Sequence, residues 1–198
     1  MRNGFSLVEI LIVIAIATSL VLVVSSLSGN VNVLNNLVSQ ELQSKSDINQ
    51  TLQIVTGDIR SAGPSANGAY PIDAAGTSSF AFYSDSDADG AVERVRYFFA
   101  SSSIYRSVIQ PTGTPPAYPT ATEVLTDLID NVIIPTSTSL FNYYDASYTG
   151  TQPAMTSTAN IATIRLVGVS FSSDVQPRQS PGPQHFSILV DIRNLRSN

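Results

Sequence analysis

The chain has 198 residues, of which 43% are hydrophobic and 13% are charged, and its formal net charge is -5. This balance favours neither nucleic acid nor an anionic membrane surface as a partner. Cysteine is absent, which excludes intrachain disulfides and thiolate metal sites.

The first predicted element is an apolar helix near the amino terminus. Residues 10–27 carry no formal charge, and Phe5 to Val8 extend the run on its amino-terminal side. At about 1.5 Å per residue, a helix of this length spans a bilayer core of about 30 Å. One acid, Glu9, lies at the amino-terminal end of this run. A carboxylate in an apolar helix is costly, so Glu9 is predicted to be functional; the alternative is a place in the headgroup layer.

The residues around Glu9 resemble the class III signal of the type IV pilin superfamily. A short leader containing Arg2 ends in Gly4, Phe5 follows, and Glu9 stands four residues after Phe5. The resemblance implies that a prepilin peptidase/N-methyltransferase cuts after Gly4 and methylates Phe5, so that the apolar helix is kept. It also implies inner membrane lipid and other pilin or pseudopilin subunits as partners. When such helices pack together, Glu9 needs a cation, and the terminal amine of Phe5 on a neighbouring subunit is the expected one.

An amphipathic helix is predicted to continue from the apolar run to Ile59. Its apolar residues recur at steps of three or four, the spacing of one helix face. They are Val33, Leu34, Leu37, Val38, Leu42, Ile48, Leu52, Val55 and Ile59. Gly63-Pro64 ends the helix, and Gly29-Asn30 is either a soft point within it or a tolerated interruption. Residues 58–63 also resemble the "IRxAG" helix ending of minor pilins and pseudopilins.

Beyond Pro64 the sequence predicts short strands separated by turn-forming residues. Strands are expected over residues 79–83, 92–98, 104–108, 132–134, 140–144, 161–171 and 186–192, a short helix or turn over 122–129, and an exposed loop over 177–183. One helix followed by many strands favours an α+β fold with an antiparallel sheet packed on that helix. This agrees with the pilin-like fold that the resemblance implies. The predicted organisation is a leader at 1–4, a membrane helix at 5–28, a helical stem at 29–63 and a globular β-rich domain at 64–198.

The segment Asp-Ser-Asp-Ala-Asp-Gly at residues 85–90 is predicted to be the turn of a hairpin. A solvated turn is the favoured interpretation, because Asp tolerates unusual backbone angles and Gly90 supplies the bend. Three carboxylates at alternate positions also match the first half of a calcium loop. A complete EF-hand is excluded, because the place of its final acid holds Arg96. The alternative is therefore a calcium site formed by Asp85, Asp87, Asp89 and Glu93.

Catalytic and nucleic-acid-binding functions are not predicted. His185, the single histidine, stands beside a proline-rich loop and is interpreted as a surface loop residue. With one histidine and no cysteine, neither a Cys-His pair nor a multi-histidine metal site can be built, and no nucleophile elbow is recognised. The aromatic residues are interpreted as core and strand-face filling, because few basic residues accompany them. The chain is not expected to be an enzyme, and no cofactor is expected apart from the calcium alternative.

The leading hypothesis is a minor prepilin subunit of a type IV pilus or type II secretion pseudopilus. The order of elements in the globular half resembles J-type pseudopilins and W-type minor pilins, which implies a role in assembly or at the filament tip. The expected location is the inner membrane, crossed once, with an extracytoplasmic carboxyl-terminal domain, and then the filament. The second hypothesis is a single-span anchored binding module whose Asp-rich turn binds calcium or whose loops bind a ligand. A third, an exported hydrolase on a retained anchor, has no supporting motif.

Overall fold

A computed structural model describes residues 6–135, 138–155, 160–174 and 182–195, without the side chains of residues 27–33. The chain forms two compact units, residues 1–46 and residues 47–198. The leader and most of the predicted loop at 177–183 lie outside the described residues. The long helix α1, Leu7–Arg60, contributes to both units.

The first unit consists of the amino-terminal part of α1. Its backbone is helical through Gly29 and Asn30, so the predicted soft point is not a break in the helix. Leu7–Ser26 is long and apolar enough to cross a membrane, with a mean hydropathy of 2.9, and none of this segment is buried within the chain. Further along, Lys45 pairs with Glu41 one turn earlier at 2.7 Å.

The described residues of the second unit form two antiparallel sheets. The first has the order β1-β2-β3-β4-β5, with β1 at Ile72–Ala75, β2 at Ser79–Ser84, β3 at Glu93–Ala100, β4 at Ser103–Ile109 and β5 at Val124–Ile129. In the second sheet the central strand β8 pairs with β6, β7 and β9. These strands are β6 at Val132–Ile133, β7 at Phe141–Tyr144, β8 at Leu166–Ser173 and β9 at Gln184–Asp191. Short 3-10 helices lie at Thr120–Thr122, Ile161–Thr163 and Arg193–Leu195. The predicted α+β fold is confirmed.

Three details of the strand prediction were wrong. Residues 124–129 form the edge strand β5 and not a helix, and only Thr120–Thr122 is helical there. The strand predicted over 161–171 begins later, because Ile161–Thr163 is a 3-10 turn ahead of β8. Strand β1 was not predicted, since its sequence Ile-Asp-Ala-Ala has a single large apolar residue.

The core of the second unit is built on one stripe of α1. Ile48, Leu52, Val55 and Ile59 are spaced by four, three and four residues and are at most 6% exposed. This spacing places them on one helix face, and they join a cluster with the apolar side chains of both sheets. The predicted stripe therefore holds the globular domain from Ile48 onward. Earlier members of that stripe, Leu34, Val38 and Leu42, are exposed.

A buried polar network ties this part of α1 to the first sheet. Asp58 is 6% exposed, and its Oδ2 accepts hydrogen bonds from the Tyr97 hydroxyl at 2.6 Å and from Arg106 Nε at 3.0 Å. Burial and the Asp58 carboxylate raise the pKa of Tyr97 well above its usual value. Burial would lower the pKa of Arg106, but the Asp58 charge outweighs it and raises the value. Both partners therefore keep their protons over the ordinary pH range.

The end of α1 explains the motif at residues 58–63. Ile59 and Ala62 are fully buried. The Ala62 carbonyl accepts a hydrogen bond from Asn194 Nδ2 at 2.8 Å, and the Gly63 N–H donates to the Tyr83 carbonyl at 2.9 Å. A Cβ at Gly63 would stand 3.2 Å from Asn194 Nδ2, which is tighter than ordinary packing. The motif thus joins the helix end to β2 and to the carboxyl-terminal turn.

Replacing Asp58 with Asn is expected to destabilise the second unit by about 2–4 kcal/mol, because it leaves the Arg106 charge half-buried without its counter-ion. The free energy of unfolding can be measured on the full chain in detergent by urea titration, followed by the near-UV circular dichroism of its 8 tyrosines. Asp73→Asn is the matched control. It removes a carboxylate whose 2.6 Å pair with Arg94 is partly exposed, and such pairs contribute up to about 1 kcal/mol. Equal losses in the two variants would contradict the prediction.

Candidate functional site

The amino-terminal candidate site is described in part. Glu9 lies in the first turn of α1, and its side chain is exposed. Its backbone N–H donates to the Ser6 carbonyl at 3.0 Å, so the helix is already formed where the acid stands. A carboxylate in a first helical turn interacts favourably with the helix dipole. Gly4 and Phe5 lie outside the described residues, so their predicted roles stay predictions.

The second candidate site is the turn between β2 and β3. The register of this hairpin pairs Ser84 with Glu93, and residues 85–92 form the loop beyond that pair. Backbone angles in the left-handed region occur at Ala88, with φ of 60°, and at Gly90, with φ of 91°. These two residues fold the loop back on itself. As a result, one carboxylate oxygen from each of four acids lies within 4.8 Å of the others; the acids are Asp85, Asp87, Asp89 and Glu93.

Backbone hydrogen bonds orient each carboxylate of this acidic turn, defined as Asp85, Asp87, Asp89 and Glu93. One oxygen per group accepts. The Gly90 N–H donates to Asp85 Oδ2 at 3.2 Å, and the Asp89 N–H donates to Asp87 Oδ1 at 3.3 Å. The Ala91 N–H donates to Asp89 Oδ1 at 2.7 Å. The loop thus holds its acids through its own backbone.

Glu93 differs from the three aspartates because it is fully buried. It is 0% exposed and shares the inward face of β3 with Val95 and Tyr97. Its Oε2 accepts two hydrogen bonds from Ser86, from the N–H at 2.8 Å and from the hydroxyl at 3.0 Å. Sequence reasoning missed this role of Ser86, which only its place among the alternating acids could have suggested. Burial, followed by the charges of Asp87 and Asp89, raises the pKa of Glu93, although the Ser86 bonds oppose the shift.

Two oxygens in the acidic turn are buried without a partner. They are Glu93 Oε1 and Asp85 Oδ1. The nearby arginines do not pair with these oxygens, because Arg94 pairs with Asp73 at 2.6 Å and Arg96 pairs with Glu123 at 2.7 Å. Within the described part of the chain, none of the four acids forms an ion pair. The turn therefore brings four carboxylates together without a positively charged partner.

The single histidine is not part of either site. His185 lies in β9, opposite Ser172 of β8, and its side chain is exposed. The prediction of a surface residue is confirmed, whereas its placement in a loop was wrong. The predicted strand-face role of the aromatic residues agrees with Tyr97, Phe141 and Tyr143, which are buried in the core.

Comparisons with known proteins show a likeness to solved structures. No family model matches the sequence, and no curated protein matches it. Among solved structures, the chain is similar to one in the crystal structure of the GspK-GspI-GspJ complex from the enterotoxigenic Escherichia coli type 2 secretion system. The likeness has a TM-score of 0.45 at 13% identity, and it covers 75% of this chain and 97% of that one.

Replacing Glu93 with Gln is expected to stabilise the protein at pH 7 in buffer free of divalent cations, by about 1 kcal/mol, because it removes a buried charge with an unsatisfied oxygen. The sign follows from the raised pKa. Above the unfolded-state pKa of Glu93, about 4.3, its ionisation lowers the stability of the folded state. Below that pKa the destabilisation disappears. The gain should therefore disappear at pH 4.

Chemical unfolding of the full chain at both pH values measures this difference. Glu123→Gln is the matched control, because hydrogen bonds from Ser107 and Arg96 lower the pKa of Glu123. That variant should lose stability at pH 7 and not at low pH. A loss of stability for Glu93→Gln at pH 7 in chelating buffer would contradict the expected burial cost.

Proposed function

We propose that the chain is a structural subunit, a minor prepilin of a type IV pilus or type II secretion pseudopilus. It is cleaved after Gly4, methylated at Phe5, held in the cytoplasmic membrane by α1 and then built into the filament near its tip. The observation that carries the proposal is the spacing of Gly4, Phe5 and Glu9 at the start of a membrane-length helix. The globular unit lies on the extracytoplasmic side, as in the pilin and pseudopilin subunits that this spacing resembles.

The surface of α1 supports assembly through the helix. Leu7–Ser26 has no residue buried within the chain, so its apolar side chains need lipid or other helices around them. Leu34, Val38 and Leu42 lie further along, each four residues apart, and are 46–62% exposed. Residues at this spacing form one helix face. An apolar helix face of this kind suits packing against neighbouring helices in a filament.

Glu9 supplies the selectivity in this proposal. Lateral packing of apolar helices is non-directional, whereas a carboxylate in low dielectric requires one specific cation. Cleavage after Gly4 creates an amine at Phe5, at the same depth as Glu9 in an adjacent helix. A processed neighbour therefore satisfies the acid, and an unprocessed one, with its amine four residues further out, does not. Processing and assembly are coupled by this pair.

Maturation is tested by the intact mass and amino-terminal sequence of the full chain, expressed with and without a prepilin peptidase. The expected product lacks residues 1–4 and carries one methyl group on Phe5. A Gly4→Leu variant should keep the unprocessed mass, because a bulky side chain at the cleavage position blocks the peptidase. Retention of Met1 to Gly4 under active peptidase would refute the prepilin proposal. It would leave the anchored extracytoplasmic binding module as the better description.

Assembly is tested by replacing Glu9 with Gln. The variant should be cleaved normally but recovered in sheared filament fractions at less than about a tenth of the wild-type level, because the loss of one ion pair in low dielectric costs several kcal/mol. Glu41→Gln is the matched control. It lies on the same helix but forms a partly exposed pair with Lys45, so its incorporation should be unchanged. Equal incorporation of all three proteins would show that Glu9 has no part in assembly.

A further inference from the structure

We propose that the acidic turn between β2 and β3 is a calcium site, formed by Asp85, Asp87, Asp89 and the buried Glu93. Two independent observations carry the proposal. The first is the convergence of four carboxylate oxygens within 4.8 Å of one another. The second is Glu93 itself, which is 0% exposed and has one carboxylate oxygen, Oε1, that is buried without a partner.

The spacing of the oxygens fits one coordination sphere. Oxygens bound to Ca²⁺ lie about 2.3–2.6 Å from the ion, so two on opposite sides are about 4.6–5.2 Å apart. The 4.8 Å limit of the cluster falls inside this range. Four oxygens at these separations can therefore coordinate one ion. Its remaining positions are open to water or to loop carbonyls, because the three aspartates are near the surface.

In Asp85 and Glu93, the two oxygens of the carboxylate have different surroundings, and this difference also fits a bound cation. Asp85 uses Oδ2 and Glu93 uses Oε2 to accept hydrogen bonds from the loop. Their other oxygens, Asp85 Oδ1 and Glu93 Oε1, are the two that are buried without a partner. A ligand carboxylate that is fixed by one oxygen and coordinates with the other is the usual arrangement in metal sites. The hydrogen bonds therefore position these two acids and leave one oxygen of each free to coordinate a cation.

The chemistry of the donors selects the metal. All four are carboxylates, which are hard ligands that suit Ca²⁺, whereas Zn²⁺ prefers nitrogen and sulfur. Mg²⁺ demands near-ideal octahedral geometry and keeps several of its waters, so it rarely takes four carboxylates from one loop. The site is not an EF-hand. Arg96 occupies the position of that motif's final acid and pairs with Glu123. The last ligand here is Glu93, which stands three residues earlier and belongs to β3.

A bound cation would also remove a cost that the fold otherwise carries. Four carboxylates in one shell repel each other, and a fully buried acid with an unsatisfied oxygen is unfavourable. One Ca²⁺ neutralises half of the formal charge and satisfies both buried oxygens. At the base of the hairpin, the Ser84 hydroxyl is hydrogen-bonded to the Ser61 hydroxyl of α1 at 2.7 Å. Binding therefore orders the loop and stabilises the second unit.

The test is calorimetric titration of the full unprocessed chain in detergent with CaCl₂, together with its thermal unfolding midpoint in Ca²⁺, in Mg²⁺ and in chelator. We expect one Ca²⁺ per chain with a Kd of about 10⁻⁵–10⁻³ M and a higher midpoint in Ca²⁺. Glu93→Gln and Asp87→Asn should each weaken binding at least about tenfold. The control Asp127→Asn, an exposed acid on β5, should bind within about twofold of the wild type.

The outcomes separate a site from a charged surface. Absence of saturable binding up to about 10 mM Ca²⁺, or equal binding by wild type and Glu93→Gln, would overturn the proposal. An equal midpoint shift in Mg²⁺ would overturn the assignment to calcium. Near-UV circular dichroism confirms that each variant is folded, and Asp87 is exposed, so its replacement leaves the core intact. Because the chain is used unprocessed, the result is independent of whether Gly4 is cleaved.

Discussion

The packing of one stripe of α1 into the core is the constraint on which the rest of the globular unit depends. Ile48, Leu52, Val55 and Ile59 supply the helical side of that core, and burial of each such side chain contributes about 1.5–3 kcal/mol. A hydrophobic stripe alone does not fix the rotation or the depth of a helix against a sheet. Asp58 adds that directional information, because its carboxylate accepts bonds from both Tyr97 and Arg106.

Among the described residues, the amino-terminal part of the same helix has no buried hydrophobic side chains. Every buried hydrophobic side chain among the described residues lies at Ile48 or later, so the core of the second unit gains nothing from residues 7–26. An apolar segment of this length that contributes nothing to its own core needs an apolar surrounding from outside the chain. Under the proposed function, lipid provides these surroundings before assembly and neighbouring helices provide them in the filament. The apolar side chains of residues 7–26 are therefore exposed and available for such contacts.

The sequence predicted the features that rest on periodicity, and it missed those that depend on tertiary contacts. The helix and most strands follow from the apolar spacing. Strand β5 was predicted as a short helix or turn, because Val124, Leu125 and Leu128 are spaced as on a helix face. Val124 and Leu125 are instead 64% and 55% exposed on an edge strand. Asp58 gave no signal of its own, because its partners stand 39 and 48 positions away. For the acidic turn, the four residues were predictable and the full burial of Glu93 was not.

That burial changes how the acidic turn is understood. An exposed run of aspartates needs no cation, because water solvates each charge, and the simplest interpretation of residues 85–90 alone is a solvated turn. Glu93 belongs to β3, where the ladder to Ser84 fixes its backbone and the core fixes its direction. In the proposed calcium site, a ligand held this firmly sets the position of the ion, and the exposed Asp87 and Asp89 adjust to it. The strand therefore supplies the geometry and the loop supplies the charge.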